Sequence, residues 1–88
     1  MRLIITPRAE KQLKKLPKTS QIIVGQKIRK LGQQIKTPEE QLAGYKKVYK
    51  IRIGDYRIVY KKFADRIVIF LIGHRREVYK LLSRLLKF

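Results

Sequence analysis

The sequence contains no cysteine, a single histidine, His74, and six acidic residues among 88. Without cysteine there are no disulfides and no thiolate chemistry, and the chain is compatible with a reducing cytoplasm, where we expect it. One histidine argues strongly against a structural zinc site. The scattered carboxylates favour neither a glycosidase pair nor a two-metal centre, and no Ser-His-Asp set can be composed. We therefore predict neither a metal nor a cofactor.

Long apolar runs are also absent. The longest runs from Ile67 to Ile72, far short of the roughly 18 residues that a membrane-spanning helix needs. The opening MRLIITPRAE has too short an apolar run for a signal peptide. Because 44% of the residues are hydrophobic, the chain should still fold, and we predict one small domain over residues 1–88 that does not enter a membrane.

Positive charge dominates what is present. Twenty-three Lys and Arg against six Asp and Glu give a formal net charge of +17. Such a charge gathers polyanions, so nucleic acid is the first partner to consider, an acidic protein the second and an anionic membrane surface the third. Seven cations fall within 17 residues: Lys46, Lys47, Lys50, Arg52, Arg57, Lys61 and Lys62.

Apolar spacing predicts the element order β-α-α-β-β-β-α, an α+β domain. The expected architecture is an antiparallel sheet with two N-terminal helices packed on one face and a C-terminal helix. The unbroken apolar strand after the hairpin should be central, because both of its faces must be buried. The predicted strands are 2–6, 46–53, 56–62 and 66–72, and a polar loop is predicted over 37–44. The first predicted helix is 7–16, and the last begins near 77. The second is capped by Thr19 or Ser20, and its apolar residues are Ile22, Ile23, Ile28, Leu31 and Ile35.

Two strands joined at Gly54 and Asp55 should form a tight hairpin, in which Arg52 lies directly opposite Arg57. One face of the hairpin is then apolar or aromatic, and the other carries Lys50, Arg52, Arg57 and Lys61. Like charges in opposed positions destabilise a sheet, by up to roughly 1 kcal/mol. We therefore expect an anionic ligand on the charged face.

RNA would supply much of the chemistry that this chain lacks, because its 2′-hydroxyl is a nucleophile beside the phosphate. A protein then has to position the backbone, accept and donate a proton and stabilise a phosphorane. Arginine's planar fork matches phosphate oxygens. Lys50 is a candidate base, because the like charge of Arg52 disfavours a protonated amine. Tyr79 lies one helical turn after Arg75, and a tyrosine can stack on an unpaired base.

The segments YKIRIGDYRIVYK and IGHRREVYKLL, with the opening RLIITPRAEKQLKKLP, resemble the RelE/ParE superfamily of toxins, and specifically its RelE-type ribosome-dependent mRNA interferases. The resemblance covers nearly the whole chain. It implies metal-independent cleavage of mRNA in the ribosomal A site, leaving a 2′,3′-cyclic phosphate and inhibiting translation. It also implies an acidic, RelB-like antitoxin. The catalytic positions that it implies are Lys50, Arg52, Arg57, Arg75 and Tyr79.

One position departs from some relatives, which carry lysine where this chain has Arg52. Arginine is a worse base, so proton abstraction is assigned to Lys50. The apolar side of the last helix is the expected antitoxin-docking element: Val78, Leu81, Leu82 and Leu85. Further RNA-binding candidates are Lys46, Lys47, Lys61, Lys62, His74 and Arg76.

Plainer interpretations stay open beside these. Alternation alone would produce a solvated basic face, and His74 at a strand end is more often a structural hydrogen-bonding residue than a proton carrier. Tyr49, Tyr56 and Tyr60 share the apolar face with isoleucines, which favours core packing. The alternative function is a basic inhibitor that does not cleave, either a ribosome-binding module or a ParE-like poison of DNA gyrase.

Overall fold

The predicted element order is confirmed, with one strand added. The computed structural model describes residues 2–85, which form five strands and three helices. The added strand, β2, has two residues and lies in the segment predicted to be a polar loop. The elements in chain order are β1 (Arg2–Ile5), α1 (Pro7–Lys14), α2 (Lys18–Gly32), β2 (Glu40–Gln41), β3 (Val48–Ile53), β4 (Tyr56–Lys62), β5 (Arg66–His74) and α3 (Arg75–Leu85).

The sheet is mixed, where the sequence predicted antiparallel pairing throughout. Its strand order is β1-β5-β4-β3-β2, and β1 runs parallel to β5 with Ile4 opposite Val68. A parallel pair needs a long crossover connection, and the segment from α1 to β4 provides one. The middle strand is β4, not β5 as predicted. β5 is nevertheless internal, which explains its continuous apolar sequence.

The hairpin has the predicted register, with Arg52 opposite Arg57 and Ile51 opposite Ile58. Gly54 adopts a φ of 57° in the two-residue loop, a conformation that glycine takes without steric cost. Because cross-strand partners project from the same face, this register decides which side chains meet on each side of the sheet.

Helices cover both faces of the sheet. On one face α1 and α2 pack on the strands through Ala9, Val24 and Ile28, as predicted for the two N-terminal helices. On the other face Val78 and Leu82 of α3 pack on Val48, Val59 and Leu71. The charged side of the hairpin therefore lies on the α3 face of the sheet.

A bulge in β5 changes which of the two cores each of its later residues joins. Val59 of β4 opposes Leu71, but its neighbour Tyr60 opposes Ile69, so Phe70 is an extra residue. Phe70 and Leu71 consequently both contact the α3 side, while Ile72 returns to the α1 and α2 side.

The buried stripe of α2 differs from the predicted one. Val24, Ile28 and Leu31 are buried at spacings of four and three, whereas Ile22 and Ile23 are 61% and 47% exposed. Since a helix turns about 100° per residue, neither isoleucine lies on the stripe that faces the sheet. None of the helices within residues 2–85 is long and apolar enough to cross a membrane.

Candidate active site

Arg57 is the one buried charged residue in the described part of the chain, with 5% of its surface exposed. Its Nη1 donates to the carbonyl oxygens of Gly54 at 2.9 Å and Tyr56 at 2.8 Å. Its Nε donates to the Tyr79 hydroxyl at 3.3 Å. Buried side-chain nitrogens and oxygens of the described residues all have hydrogen-bond partners. Within residues 2–85 Nη2 of Arg57 makes no hydrogen bond, so it is not fully enclosed and can donate to a ligand.

Tyr79 joins Arg57 to Lys50. Its hydroxyl oxygen also accepts a hydrogen bond from Lys50 Nζ at 3.2 Å, and the same nitrogen lies 5.0 Å from the centre of the Tyr79 ring. The tyrosine remains 39% exposed, so one side of its ring can contact a ligand. Lys50, Arg57 and Tyr79 are hereafter the Tyr79 cluster. α3 supplies the tyrosine, and the two hairpin strands supply the cations.

The two cations alter the ionisation of the phenol. Burial raises the pKa of Tyr79, but the hydrogen bonds from Arg57 and Lys50 and their positive charges outweigh burial, and the net pKa is lowered. Tyr60 shows the opposite behaviour, because burial and its hydrogen bond to the Glu39 carboxylate raise its pKa. The site therefore stabilises negative charge at an oxygen atom.

Tyrosine ionisation provides a direct check. Tyr79 should be deprotonated at lower pH than an ordinary tyrosine, and Tyr79→Phe should remove that early step from an ultraviolet absorbance titration. Because the folded pKa lies below the unfolded value of about 10, wild type should gain stability relative to Tyr79→Phe as pH rises between the two values. Urea denaturation on both sides of that window measures the gain, and an early step that survives in Tyr79→Phe would contradict the assignment.

Arg52 lies beside the Tyr79 cluster, and its partner is a residue that the sequence interpretation missed. Its Nε is 3.1 Å from Glu40 Oε1, and both side chains are more than half exposed. Glu40 belongs to β2 and lies opposite Lys50 in the register. The opposed arginines are thus compensated within the chain, Arg52 by Glu40 and Arg57 by turn carbonyls. A two-residue strand is too short for its sequence to show a period of two. The only sequence signal for a role of Glu40 was its position next to another acidic residue, Glu39.

Arg75 and His74 mark the start of α3, two residues earlier than predicted. The Arg75 N–H donates to the Asp55 carbonyl at 2.8 Å, which ties the helix to the hairpin loop, while the arginine side chain is exposed. His74 Nδ1 accepts from the Arg76 N–H at 3.3 Å, and its ring meets Tyr56 edge-on at 6.2 Å. His74 therefore caps α3 on the face away from Arg57, and its RNA-binding role stays a prediction.

The other predicted RNA-binding residues separate into two groups. Lys46, Lys47 and Arg76 are exposed, and Lys61 is exposed opposite Val48 on the α3 face. Lys62 instead pairs with Glu39 and lies 4.4 Å from the Tyr49 ring, on the face covered by α1 and α2. The sheet therefore separates Lys62 from the Tyr79 cluster.

Two of the four predicted antitoxin-binding residues are in the core. Val78 is 0% and Leu82 is 2% exposed, because the apolar stripe of α3 faces the sheet. Leu81 is half-buried, and Leu85 is 43% exposed at a groove of about 540 Å³ shared with Phe63, Val68 and Phe70. Without movement of α3, Leu85 is the member of the set that a partner can reach most directly.

Comparison with known proteins identifies the family. The model of the ParE toxin of type II toxin-antitoxin system, parDE, matches residues 3–79. The chain therefore belongs to this family, within the RelE/ParE superfamily, and is a toxin of the type II toxin-antitoxin class. A search of curated proteins found no significant match.

No group of three or more His, Asp or Glu side chains within residues 2–85 is arranged to hold a metal ion.

Solved structures share the fold. The isolated E. coli RelE toxin is 24% identical, with a TM-score of 0.72 and 97% of each chain covered. The toxin of the RelB-RelE complex from Methanococcus jannaschii is 22% identical, with a TM-score of 0.75, 86% of this chain and 94% of that one covered. A chain of the RelBE2 toxin-antitoxin complex from Mycobacterium tuberculosis is 23% identical, with a TM-score of 0.70. The match covers 84% of this chain and 96% of that one.

Proposed function

We propose that this toxin is a ribosome-dependent mRNA endoribonuclease that cleaves by attack of the 2′-hydroxyl on the adjacent phosphate. The observation that carries the proposal is the Tyr79 cluster with Arg52 at its edge. Cations that already stabilise negative charge on a phenolic oxygen are suited to the oxygens of a phosphorane, whose charge develops in the transition state. Cleavage in the A site would inhibit translation.

The position of each cation suggests which oxygen atoms of the RNA it would contact. Nη2 of Arg57, which has no partner within residues 2–85, and the guanidinium of Arg52 would hold the non-bridging oxygens of the phosphate. Arg75, exposed at the end of the hairpin, would stabilise charge on the departing 5′-oxygen. Tyr79 would orient the ribose or stack on the base.

Lys50 receives a different role from the one predicted. Its amine donates to Tyr79 and lies over the ring, and both contacts stabilise a positive charge. We therefore assign Lys50 to charge stabilisation instead of proton abstraction. Exposed Lys46, Lys47 and Lys61 would add contacts to the RNA backbone, and the ribosome would present the message in a bent conformation that this open site does not impose.

We also infer an acidic, RelB-like antitoxin as the partner of this chain in the cytoplasm. The net charge of +17 favours an acidic partner, and the similar M. jannaschii and M. tuberculosis proteins were solved as toxin-antitoxin complexes. Exposed Leu85 and its groove offer an apolar contact next to the basic surface. A partly disordered segment that folds on this surface would fit both features.

The ends of the cleavage products test the mechanism. Ribosomes programmed with a defined message should yield fragments with a 2′,3′-cyclic phosphate and a 5′-hydroxyl, even when the protein has first been stripped with EDTA. A single 2′-deoxynucleotide before the scissile phosphate should abolish cleavage, because it removes the nucleophile. Products with a 3′-hydroxyl and a 5′-phosphate would contradict the proposal, since they arise from attack by water.

A ParE-like poison of DNA gyrase is the second candidate, and the description of the matching family model favours it. Primer extension on cellular mRNA after induction distinguishes the two. Breaks within codons are expected for the endoribonuclease. Intact message with arrested replication is expected for the gyrase poison.

A further inference from the structure

Glu40 is the acidic residue that the fold brings to the candidate site. Its Cα pairs with that of Lys50, and its Oε1 is 3.1 Å from Arg52 Nε. Cross-strand partners project from one face of a sheet, so Glu40 lies on the face that carries the Tyr79 cluster. Its neighbour Glu39 instead binds Lys62 and Tyr60 on the other face. Only one of the two adjacent acids therefore borders the site.

The polar groups around a bound phosphate would otherwise nearly all be donors. Lys50, Arg52 and Arg57 have no acceptor atoms in their side chains. The Tyr79 oxygen already accepts hydrogen bonds from two of them. A 2′-hydroxyl must lose its proton to an acceptor, and an ionised carboxylate is a pure acceptor. Glu40 provides that group at the edge of the site.

The ion pair between Glu40 and Arg52 does not prevent this use. The two side chains are 54% and 58% exposed, and ion pairs between exposed side chains are weakly held. A phosphate can bind the arginine fork through two oxygens and so replace the carboxylate. The displaced carboxylate remains opposite Lys50 in the register of the sheet, at the edge of the site.

We propose that Glu40 is the general base of the cleavage reaction, an assignment that rests on the endoribonuclease function proposed above. The 2′-O–H bond breaks and its proton passes to the Glu40 carboxylate. The freed electron pair on the 2′-oxygen forms a bond to phosphorus. The bond from phosphorus to the 5′-oxygen breaks with its electron pair on that oxygen, which takes a proton from solvent, and Glu40 returns its proton to solvent.

The test compares Glu40→Gln with Glu10→Gln in single-turnover cleavage on programmed ribosomes. Both substitutions remove an exposed carboxylate that pairs with a cation, and Glu10 contacts Lys14 at 3.3 Å on α1, on the other side of the sheet. Glu40→Gln should lower the maximal rate at least about tenfold, while half-saturation occurs at an unchanged or lower protein concentration. Glu10→Gln should match wild type, and Glu40→Asp should recover part of the rate.

If Glu40→Gln cleaves as fast as wild type, or faster, the assignment is overturned. The carboxylate would then only compete with a ligand for Arg52. Loss of ribosome binding with an unchanged maximal rate would overturn it as well, since that pattern belongs to a positioning role. Equal thermal melting of all variants excludes misfolding as the cause. If wild type itself produces no cleavage, the proposed function fails. If wild type cleaves and Glu40→Gln cleaves equally fast, only the role of Glu40 fails, so the two failures can be distinguished.

Discussion

Arg57→Ala should lower the rate of message cleavage by at least about a hundredfold, the loss typical when a donor to a developing oxyanion is removed. No other charged residue within residues 2–85 is buried to the same degree, at 5% exposure. The carbonyl oxygens of Gly54 and Tyr56 and the Tyr79 hydroxyl fix its guanidinium before any ligand arrives. A preorganised donor loses little freedom when it binds the phosphate, so its removal should cost more than loss of a mobile surface lysine.

Arg57→Lys separates charge from geometry. Lysine keeps the positive charge but cannot serve the loop carbonyls and a phosphate at once, so we expect most of the loss to remain. Arg66→Ala is the matched control, because Arg66 pairs with Asp65 at 3.0 Å and lies 4.3 Å from the Phe63 ring. Thermal melting accompanies each rate. An Arg57→Ala protein that is folded and cleaves within about threefold of wild type would contradict preorganisation by this residue.

The second large effect is on the free energy of unfolding, which should fall when Leu82 of α3 is truncated but not when Leu85 is. Leu82→Ala should lower the free energy of unfolding by about 2–5 kcal/mol, since the side chain is buried against the sheet and leaves a cavity. Whole domains have only about 5–15 kcal/mol, so much of the stability would be lost. Leu85→Ala should change it by less than about 0.5 kcal/mol, because Leu85 is exposed. Urea denaturation of both variants measures the contrast.

Antitoxin affinity should show the reverse order among folded proteins. Leu85→Ala should weaken binding of the cognate antitoxin without a change in melting temperature, because it alters only the exposed apolar contact. Equal stability of Leu82→Ala and wild type would show that α3 does not pack on the sheet in solution. Unchanged antitoxin binding by Leu85→Ala would place the docking surface elsewhere.

The hairpin could be predicted in detail because its determinants are local. A glycine in a two-residue loop and a period of two fix the register, and a slip of one residue would move every apolar side chain to the wrong face. The proximity of Lys50, Arg52 and Arg57 followed from the sequence for that reason. The burial of Arg57 did not, because it depends on α3, whose Tyr79 is 22 residues away in sequence.

Two other features needed the tertiary structure. The parallel pairing of β1 with β5 joins residues more than 60 positions apart, and no local pattern in β1 encodes its direction. Glu40 pairs with β3 over only two residues, too few for alternation to reveal a strand. The sequence therefore predicted the proximity of the three cations but not that of Glu40, since the cations come from a regular hairpin and Glu40 does not.

The extra residue Phe70 also decides on which face of the sheet the His74 ring lies. In a regular β5, alternation from Ile69 onward would bring His74 out on the side of Arg57. The bulge reverses the phase of the strand, so Gly73 faces Arg57 and the imidazole emerges beside Tyr56. One inserted position thus turns the imidazole of His74, the single histidine of the sequence, away from the face of the sheet that carries Arg57.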